Sequence, residues 1–499
     1  MTEGCQRLEV TGLQLHILHT NDVHSELLSY ARLVTQVRSL RDTLTDDGAD
    51  VLCFDLGDHI DLSNPLSYAT MGLINADILR VVNYDGLVFG NNETVTVDPS
   101  LWESLARAVQ TPILCSNIDS PSGKWNQQAG VQFLRSGVSI GVCGVTVQYE
   151  NLLKTIGVLS RDPVEAAWTA CANLKNNGAD IVILLSHLGL HIDEMLADKG
   201  IPADIIIGSH THQFLDAGIK RGNVWIFQAG KYAKAFGHIA ITLAPDKAIQ
   251  KIDGRLLYTG SDVVPDPAVL QVIDRYVPIA HSRLSQPIAT LPHRIAHSLF
   301  GESEIVNLLC DAMKEELHVD VAIVNGGVVT AGFRAGTVRI GDLHSVCATP
   351  MRAVTMDVSG ERLWQLLSES LRMDIIARQG IGFGFRGHFV GRLHVSGATI
   401  IIDGTSAKTD ADEQINNLFI GSAQIDRSQV YRIAVCEYVA LSSMFKAIKG
   451  PVFAYQAPTL RQMLEYGLKT NRLLDSAKTL RYVHRDESAQ MGAKEHAAF

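Results

Sequence analysis

Five short polar fragments, each directly after an apolar run, constrain the fold of this chain more than any other feature. The fragments are Asp22-Val23-His24, Gly57-Asp58, Gly90-Asn91-Asn92-Glu93, Ser186-His187 and Gly208-Ser209-His210-Thr211-His212. The preceding runs are Leu13–Leu18, Val51–Leu56, Leu87–Phe89, Ile181–Leu185 and Ile205–Ile207. Such runs are typical of parallel strands buried on both faces, and α/β folds bind ligands at the carboxyl ends of those strands. The pattern therefore predicts an α/β fold with the five fragments on one rim.

The side chains of these fragments form a metal-ligand set. One cation would be held by Asp22, His24, Asp58 and His212, and a second by Asp58, Asn91, His187 and His210. Asp58 would bridge the two, because a carboxylate has two oxygens and can hold cations about 3.5–4 Å apart. Imidazole, carboxylate and amide ligands suit Mn²⁺, Zn²⁺, Fe²⁺ or Co²⁺ better than Ca²⁺, and we favour Mn²⁺. A single fragment of this kind is more often explained by capping or hydrogen bonding, but five in succession favour metal binding.

The fragments resemble the calcineurin-like metallophosphoesterases and, more closely, the 5′-nucleotidase family. Leu18-His19-Thr20-Asn21-Asp22-Val23-His24 is similar to the family's opening motif. Further segments fall in the family's order: Cys115-Ser116-Asn117-Ile118, Asn307-Leu308-Leu309-Cys310-Asp311-Ala312-Met313, Val324-Asn325-Gly326-Gly327, Gly341-Asp342-Leu343 and Val395-Ser396-Gly397. The resemblance covers about residues 13 to 470. It implies a four-layer α-β-β-α metallophosphoesterase sandwich, a connecting helix and a C-terminal α/β substrate domain.

Domain boundaries follow from the resemblance and from local composition. We place the metallophosphoesterase domain at residues 13–265, the connecting helix and linker at 266–290, and the C-terminal substrate-binding domain at 291–485. Residues 264–267 read Val-Pro-Asp-Pro, and the run that follows is amphipathic to about Arg283 with a near-helical spacing. In the family such a helix lets the domains move relative to each other. A rigid connector is the alternative here.

The catalytic motif departs from the family pattern. The third position of the family's Gly-Asn-His-Glu motif is Asn92 here, and the aspartate three residues later is Val95. In the family that histidine stabilises or protonates the leaving oxygen, whereas an amide cannot deliver a proton. Losing a general acid typically costs on the order of 10²–10⁴ in rate. We expect Asn91 to steady the phosphate oxygens, and His59 either to reach the leaving group or to hydrogen-bond a ligand carboxylate.

The substrate domain departs from the family as well. Nucleotide-binding members read Asn-Gly-Gly-Gly-Ile-Arg where residues 325–330 read Asn-Gly-Gly-Val-Val-Thr, so an arginine is missing from its place. Of the two family positions whose rings sandwich a base, the first aligns to Arg392 and the second to Tyr438. The candidate substrate-binding residues are Asn117, Asn325, Arg386, Arg392 and Tyr438. Guanidinium groups suit phosphate, although each arginine taken alone is better explained as a solvated surface charge.

Charge and composition narrow the partners and the compartment. A net charge of −10 without a Lys/Arg cluster argues against duplex nucleic acid. No stretch approaches the ~20 apolar residues of a membrane helix, and the short polar residues 1–9 leave no room for a secretory signal. The eight cysteines are scattered singly, which indicates reduced thiols. We predict a cytoplasmic protein without a membrane partner, and the oligomeric state stays open.

Three functions fit this sequence. The first is two-metal hydrolysis of small phosphate esters, mainly nucleotides, by attack of a metal-bridging hydroxide on phosphorus. The second is hydrolysis of a phosphoanhydride, such as a nucleotide-sugar or a nucleoside polyphosphate. Its leaving phosphate has a second pKa of about 6 and needs no proton. The third is a low-turnover phosphate-ligand sensor or scaffold. The full set of metal ligands argues against this third possibility.

Overall fold

The computed structural model describes residues 13–119, 127–380, 385, 387–403 and 414–485, and it divides into two compact units, Met1–Ala280 and His281–Phe499. The strands of the first unit are β1 (Leu13–Thr20), β2 (Asp50–Asp55), β3 (Gly86–Leu87), β4 (Ile113–Leu114), β5 (Ile118–Asp119), β6 (Gln127–Gln128), β7 (Gly130–Arg135), β8 (Val138–Thr146), β9 (Leu159–Ser160), β10 (Ile181–His187), β11 (Ile205–Gly208), β12 (Ile219–Arg221), β13 (Val224–Phe227), β14 (Ala235–Leu243) and β15 (Ile249–Tyr258). Its helices are α1 (Leu27–Asp46), α2 (Pro65–Ala69), α3 (Leu73–Val82), α4 (Trp102–Val109), α5 (Glu150–Thr155), α6 (Pro163–Asn176), α7 (Leu190–Asp198) and α8 (Pro267–Leu284).

Two mixed sheets form the centre of the first unit. The larger sheet has the order β15-β14-β1-β2-β3-β4-β6, and the strands from β1 to β6 in this order run parallel. The other sheet has the order β12-β13-β11-β10-β8-β7, with β8, β10, β11 and β13 parallel. Each of the five apolar runs contributes to a strand, but β3 ends at Leu87, and β10 continues through Ser186 and His187. Both sheets thus contribute parallel strands whose carboxyl ends carry polar fragments.

Three apolar layers hold this unit together, and they show why its strands are so rich in β-branched and aliphatic residues. Leu15 and Phe54 from the larger sheet pack with Ile183 and Ile207 from the other sheet, so the two sheets share one buried layer. Helices α1, α3 and α4 cover the outer face of the larger sheet, and α6 and α7 cover the outer face of the other. Strands buried on both faces need apolar side chains on both faces. The predicted four-layer α-β-β-α sandwich is confirmed.

The second unit is also α/β. Its strands are β16 (Pro287–Leu291), β17 (Val321–Asn325), β18 (Gly336–Arg339), β19 (Arg352–Ser359), β20 (Leu393–Ser396), β21 (Ala398–Asp403), β22 (Gln414–Ile420), β23 (Ala423–Gln424), β24 (Val430–Cys436), β25 (Phe453–Thr459) and β26 (Tyr482–His484). Its helices are α9 (Glu304–Leu317), α10 (Ile340–Val346), α11 (Gly360–Ser370), α12 (Met373–Ile376), α13 (Glu437–Leu441), α14 (Leu460–Leu468) and α15 (Asn471–Ser476). A five-stranded sheet has the order β20-β17-β24-β19-β25, and a four-stranded sheet has the order β23-β22-β21-β26.

The connecting helix exists, and it belongs in part to the first unit. Helix α8 spans Pro267–Leu284, close to the predicted end at Arg283. Val269 and Val272 are buried in the same apolar layer as α1, whereas the division between the units falls after Ala280. The predicted linker, residues 266–290, therefore contains a helix packed on the first unit and the beginning of β16. Among the described residues, no helix combines the length and the apolar character needed to cross a membrane.

Candidate metal centre

The carboxyl ends of the parallel strands bring two clusters of ligand-type side chains together. Asp22, His24 and His212 form one cluster, and Asp58, His187 and His210 form the other. Within each cluster the candidate ligand atoms all lie within 4.8 Å of one another. The first cluster combines residues that follow β1 and β11. The second combines residues that follow β2 and β11 with His187, the last residue of β10. Each cluster therefore takes side chains from both sheets.

Asp58 lies between the two clusters and faces each with a different oxygen. Its Oδ2 is 3.9 Å from Nε2 of His24, and its Oδ1 is 3.5 Å from Nε2 of His187. The seventh predicted ligand, Asn91, places its Oδ1 3.3 Å from the same His187 nitrogen. The structure thus brings all seven sequence-predicted ligands into one site, in the grouping that a bridging carboxylate requires.

Most of these residues have an unusual backbone conformation. The φ angle is 51° at Asp22, 49° at His24, 49° at Asp58, 73° at His210 and 64° at His212. Positive φ is uncommon for residues other than glycine and costs free energy, so it persists where the surroundings impose it, often at functional sites. The strand ends therefore turn sharply to aim several side chains at one place.

Two glycines allow the loops after β2 and β3 to meet. A Cβ atom on Gly57 would lie 2.3 Å from the backbone nitrogen of Gly90, and a Cβ atom on Gly90 would lie 2.2 Å from Oδ1 of Asp58. Neither position has room for a larger residue without moving the backbone. This close approach places Asp58 beside the loop that carries Asn91. It also explains why both of these fragments begin with glycine.

Glu93 ties the same two loops together. Its buried carboxylate accepts hydrogen bonds from the backbone N–H groups of Asp58 at 2.9 Å, Ile60 at 2.7 Å and Gly90 at 2.9 Å. Burial and the nearby Asp58 raise the pKa of Glu93 to about 7, whereas the backbone donors favour its ionised form. Glu93 is therefore a positioning residue for the ligands Asp58 and Asn91, a role that its place in the sequence fragment did not reveal.

Outer contacts also orient the remaining ligands. Asp22 Oδ2 accepts hydrogen bonds from Asn21 Nδ2 at 2.8 Å and from Ser209 Oγ at 2.6 Å, and its Oδ1 lies 3.5 Å from His212 Nε2. His187 donates from Nδ1 to the carbonyl of Leu56 at 2.6 Å, which leaves Nε2 as the nitrogen that faces the site. Bonds of this type fix the tautomer and the orientation of a metal-ligating histidine.

The proposed ligands differ in protonation before a metal ion binds. Burial lowers the pKa of His24 and His187, but neighbouring carboxylates raise both pKa values more, to about 10 for His187, so these two imidazoles must release a proton to bind a metal ion. Burial raises the pKa of Asp58, but His187 and His24 lower it more, so the carboxylate is ionised. Burial lowers the pKa of both His210 and His212 to about 4, which keeps these imidazoles neutral at neutral pH. Ionised carboxylates and neutral imidazoles are the forms that bind metal ions.

Asn92 uses its side chain to hold the ligand loops. It begins a π-helical turn, Asn92–Thr96, and its backbone nitrogen donates to Asp58 Oδ1 at 2.8 Å. The Nδ2 group donates to the carbonyl of Ile60 at 2.8 Å and lies 3.2 Å from Nδ1 of His24. The amide that replaces the family's histidine is thus engaged with the protein itself.

His59 points into the protein. The ring is 1% exposed, packs edge-on against Tyr30 with centroids 4.7 Å apart, and places Nδ1 3.3 Å from Nδ2 of Asn75. Burial, followed by the charge of His24, lowers the pKa of His59 to about 3. Within the described residues, its ring is bonded to Asn75 and not to a ligand carboxylate. This placement favours a packing role over the predicted contact with a leaving group.

The described substrate-binding candidates are buried and engaged in internal contacts. Asn117 joins two loops by donating to the carbonyl of Thr146 at 2.8 Å, and Asn325 donates to the carbonyl of Val390 at 2.8 Å. The guanidinium of Arg392 lies 4.4 Å above the ring of Tyr482. The buried Tyr438 stacks on Phe385 with centroids 4.3 Å apart, and Arg386 lies outside the described residues. Their contact with substrate stays a prediction.

A sixth strand end adds residues that the sequence analysis missed. Strand β13 runs parallel to β11, so the turn after it lies at the same edge as the ligands of β11. In this turn the backbone nitrogen of Tyr232 donates to the carbonyl of Asp22 at 2.8 Å, and its ring lies 5.6 Å from the ring of His24. The sequence contained a signal for this turn. Val224–Phe227 is an apolar run followed by polar residues, the same pattern that marked the other five fragments.

Comparison with known proteins agrees with this architecture. The sequence model of the calcineurin-like phosphoesterase family matches residues 15–214. The sequence model of the 5′-nucleotidase C-terminal domain family matches residues 284–448. The chain is 29% identical over 446 residues to the metallophosphoesterase YunD of Bacillus subtilis, covering 87% of this chain and 94% of YunD. It is 23% identical over 416 residues to a 5′-nucleotidase of Diplobatis ommata, covering 72% of this chain and 71% of that protein.

Solved structures show the same fold. The NAD nucleotidase of Haemophilus influenzae aligns with a TM-score of 0.64 at 15% identity and covers 95% of this chain and 97% of its own. A 5′-nucleotidase precursor of Thermus thermophilus aligns with a TM-score of 0.56 at 20% identity and covers 95% and 99%. Both domain matches, in this order along one chain, identify the protein as a phosphoric ester hydrolase. It belongs to the calcineurin-like metallophosphoesterases that carry a 5′-nucleotidase C-terminal domain.

Proposed function

We propose that this enzyme hydrolyses small phosphate esters of the nucleotide class with two divalent metal ions. The observation that carries the proposal is the position of Asp58, which presents one oxygen to each of two ligand clusters. A nucleotide as the organic group is supported by the relatives that are named 5′-nucleotidases. In this proposal the second unit binds that group, with Asn325, Arg386, Arg392 and Tyr438 as the candidate contacts.

The donor set fits the metals that the sequence suggested. Imidazole, carboxylate and amide donors suit Mn²⁺, Zn²⁺, Fe²⁺ or Co²⁺, and Mn²⁺ remains our first choice. When bound, two such ions lower the pKa of a water nucleophile and neutralise charge on a phosphoryl group. Around them, Glu93 and Asn92 keep Asp58 in place through backbone hydrogen bonds, and Asn91 presents its amide to the same cluster.

Product analysis on a small substrate panel tests the proposal. Protein loaded with Mn²⁺ would be given AMP, ADP, a UDP-sugar and p-nitrophenyl phosphate, with products resolved by chromatography. We expect hydrolysis of at least one nucleotide, and chelation should abolish it. Metal analysis of the purified protein should find about two divalent ions per chain. Absence of turnover on every substrate at full metal occupancy would overturn the proposal in favour of a phosphate sensor.

Restoring the histidine of the family motif should change the dependence on the leaving group. We expect Asn92→His to increase kcat/KM for AMP by about 10-fold or more, because a general acid typically contributes 10²–10⁴. The gain should stay at about 10-fold, below the usual contribution of a general acid, because the substitution also removes the hydrogen bond from Asn92 to Ile60. Hydrolysis of p-nitrophenyl phosphate, whose leaving group needs no proton, is the internal control. An equal change for both substrates would contradict the view that a missing acid limits the rate.

The cysteines support a reducing compartment. All seven cysteines that the structure describes are buried and free of disulfides, although Cys143 and Cys171 place their sulfur atoms 3.5 Å apart. We therefore keep the cytoplasm as the proposed location. Titration of thiols in protein that is isolated with alkylation at lysis and then denatured tests it, since a disulfide-bonded protein would show fewer free thiols.

A further inference from the structure

The turn after β13 carries a lysine and a tyrosine beside the first ligand cluster. The Nζ atom of Lys231 lies 4.6 Å from the centroid of the Tyr232 ring. The Tyr232 ring in turn meets the His24 ring at an interplanar angle of 66°, with centroids 5.6 Å apart. A cation over an aromatic face is attracted by the negative charge density of that face. The tyrosine therefore restrains the lysine on the side of the site formed by Asp22, His24 and His212.

The backbone holds this pair in a conformation like that of the ligands. Tyr232 has a φ angle of 62° and Ala233 one of 53°, within the range found at the ligand positions. The hydrogen bond from the Tyr232 nitrogen to the Asp22 carbonyl, 2.8 Å long, joins this turn to the β1 loop. A bulky residue keeps such an angle only when its surroundings impose it. The turn is therefore fixed by the same loops that fix the ligands.

The positive charge of Lys231 is not neutralised by a carboxylate among the described residues. In the part of the chain that the structure describes, no carboxylate lies within ion-pair distance of its ammonium group, whereas many surface lysines and arginines are paired. Its ammonium group lies over the Tyr232 ring, and that ring contacts His24 of the first ligand cluster. An ammonium group at this rim is placed to meet an anionic part of the substrate.

We propose that Lys231, positioned by Tyr232, binds the anionic leaving group and gives this enzyme a preference for phosphoanhydrides over phosphate monoesters of alcohols. This inference rests on the proposed hydrolysis. As water adds to phosphorus, the bond from phosphorus to the leaving oxygen breaks and its electron pair stays on that oxygen. The water proton is lost to solvent. Lys231 neutralises the departing oxygen electrostatically, so no proton donor is needed where Asn92 replaces histidine.

Paired lysine variants test the inference. We expect Lys231→Met to lower kcat/KM for ADP by about 10- to 100-fold, since a hydrogen bond to a charged group contributes roughly 1.5–3 kcal/mol. Hydrolysis of p-nitrophenyl phosphate should change less than about threefold, because its leaving group carries no phosphate for the ammonium group of Lys231 to bind. The matched control is Lys234→Met, the same substitution at an exposed position of the same turn. Equal effects of the two substitutions on ADP would overturn the inference.

Binding measurements separate this inference from the proposed function. Calorimetry with methylenediphosphonate, which the enzyme cannot hydrolyse, should show affinity for Mn²⁺-loaded Lys231→Met about 10- to 100-fold below that of Lys234→Met. Orthophosphate and Mn²⁺ should bind both variants alike. Tyr232→Leu should lose diphosphonate affinity as well, and Tyr232→Phe should restore most of it. If diphosphonate affinity depends on Lys231 but no substrate turns over, Lys231 binds the anionic group, whereas the proposed hydrolysis and the substrate preference that rests on it both fail. Equal diphosphonate affinity of the two lysine variants refutes the inference.

Discussion

Replacing Asp58 by asparagine is expected to lower metal-dependent hydrolysis by about 10³-fold or more. The Asp58 oxygens face separate clusters, 3.9 Å from His24 and 3.5 Å from His187. An amide retains one oxygen and no charge, so it cannot serve both cations. The loss of a two-ion clamp removes several kcal/mol of transition-state stabilisation, and each 1.4 kcal/mol is about tenfold in rate. Steady-state kinetics at saturating Mn²⁺, together with metal content by mass spectrometry, would measure it.

A surface aspartate provides the matched control for this substitution. Asp253 lies on β15 with an exposed side chain that pairs with Lys251. Asp253→Asn removes the same charge from the same domain and should leave kcat and metal content unchanged. If Asp58→Asn kept activity within a few-fold of this control, the assignment of Asp58 as a bridging ligand would be wrong.

Replacing Glu93 by glutamine should weaken both the fold and the metal site. The carboxylate accepts three backbone N–H groups from two loops. Glutamine has one acceptor oxygen, and its NH₂ group would face a donor that is left unsatisfied. We expect the free energy of unfolding to fall by about 2–4 kcal/mol. The affinity for Mn²⁺ should fall by about 10- to 100-fold, as for other residues that orient metal ligands.

Urea unfolding and calorimetric Mn²⁺ titration would measure these two effects of Glu93→Gln. Glu103→Gln is the control, because Glu103 lies at the surface of α4 and forms a long ion pair with Arg107 at 3.9 Å. Substitutions at such positions usually change stability by no more than about 0.5 kcal/mol. A Glu93→Gln protein as stable as this control, with unchanged Mn²⁺ affinity, would show that the three hydrogen bonds do not position the site.

The strand-end rule predicted the fold and the assembly of the ligands because both depend on local sequence. An apolar run followed by Asp, Asn or His determines where a side chain leaves the sheet, and parallel strands bring those points together. Lys231 and Tyr232 obey the same rule after β13. They were overlooked because their side chains are not metal ligands.

The sequence did not predict the direction in which individual side chains point. His59 follows a ligand directly, yet its ring turns towards Tyr30 and Asn75, which come from the distant helices α1 and α3. Asn117 likewise bonds to Thr146, which lies 29 positions further along the chain. Each orientation is decided by a partner far away in sequence. A motif alone therefore gave the position of each of these residues but not its contacts.

Because each ligand cluster takes side chains from both sheets, a bound metal ion would also link the two sheets. Ligands that follow β1 and β2 meet ligands at the end of β10 and after β11, beside the apolar layer that the two sheets share. Ions that bind the folded state alone add stability by mass action, about 2.7 kcal/mol at a free concentration 100 times the dissociation constant. The lifetime of this enzyme in a cell would then follow the supply of metal as well as its own sequence.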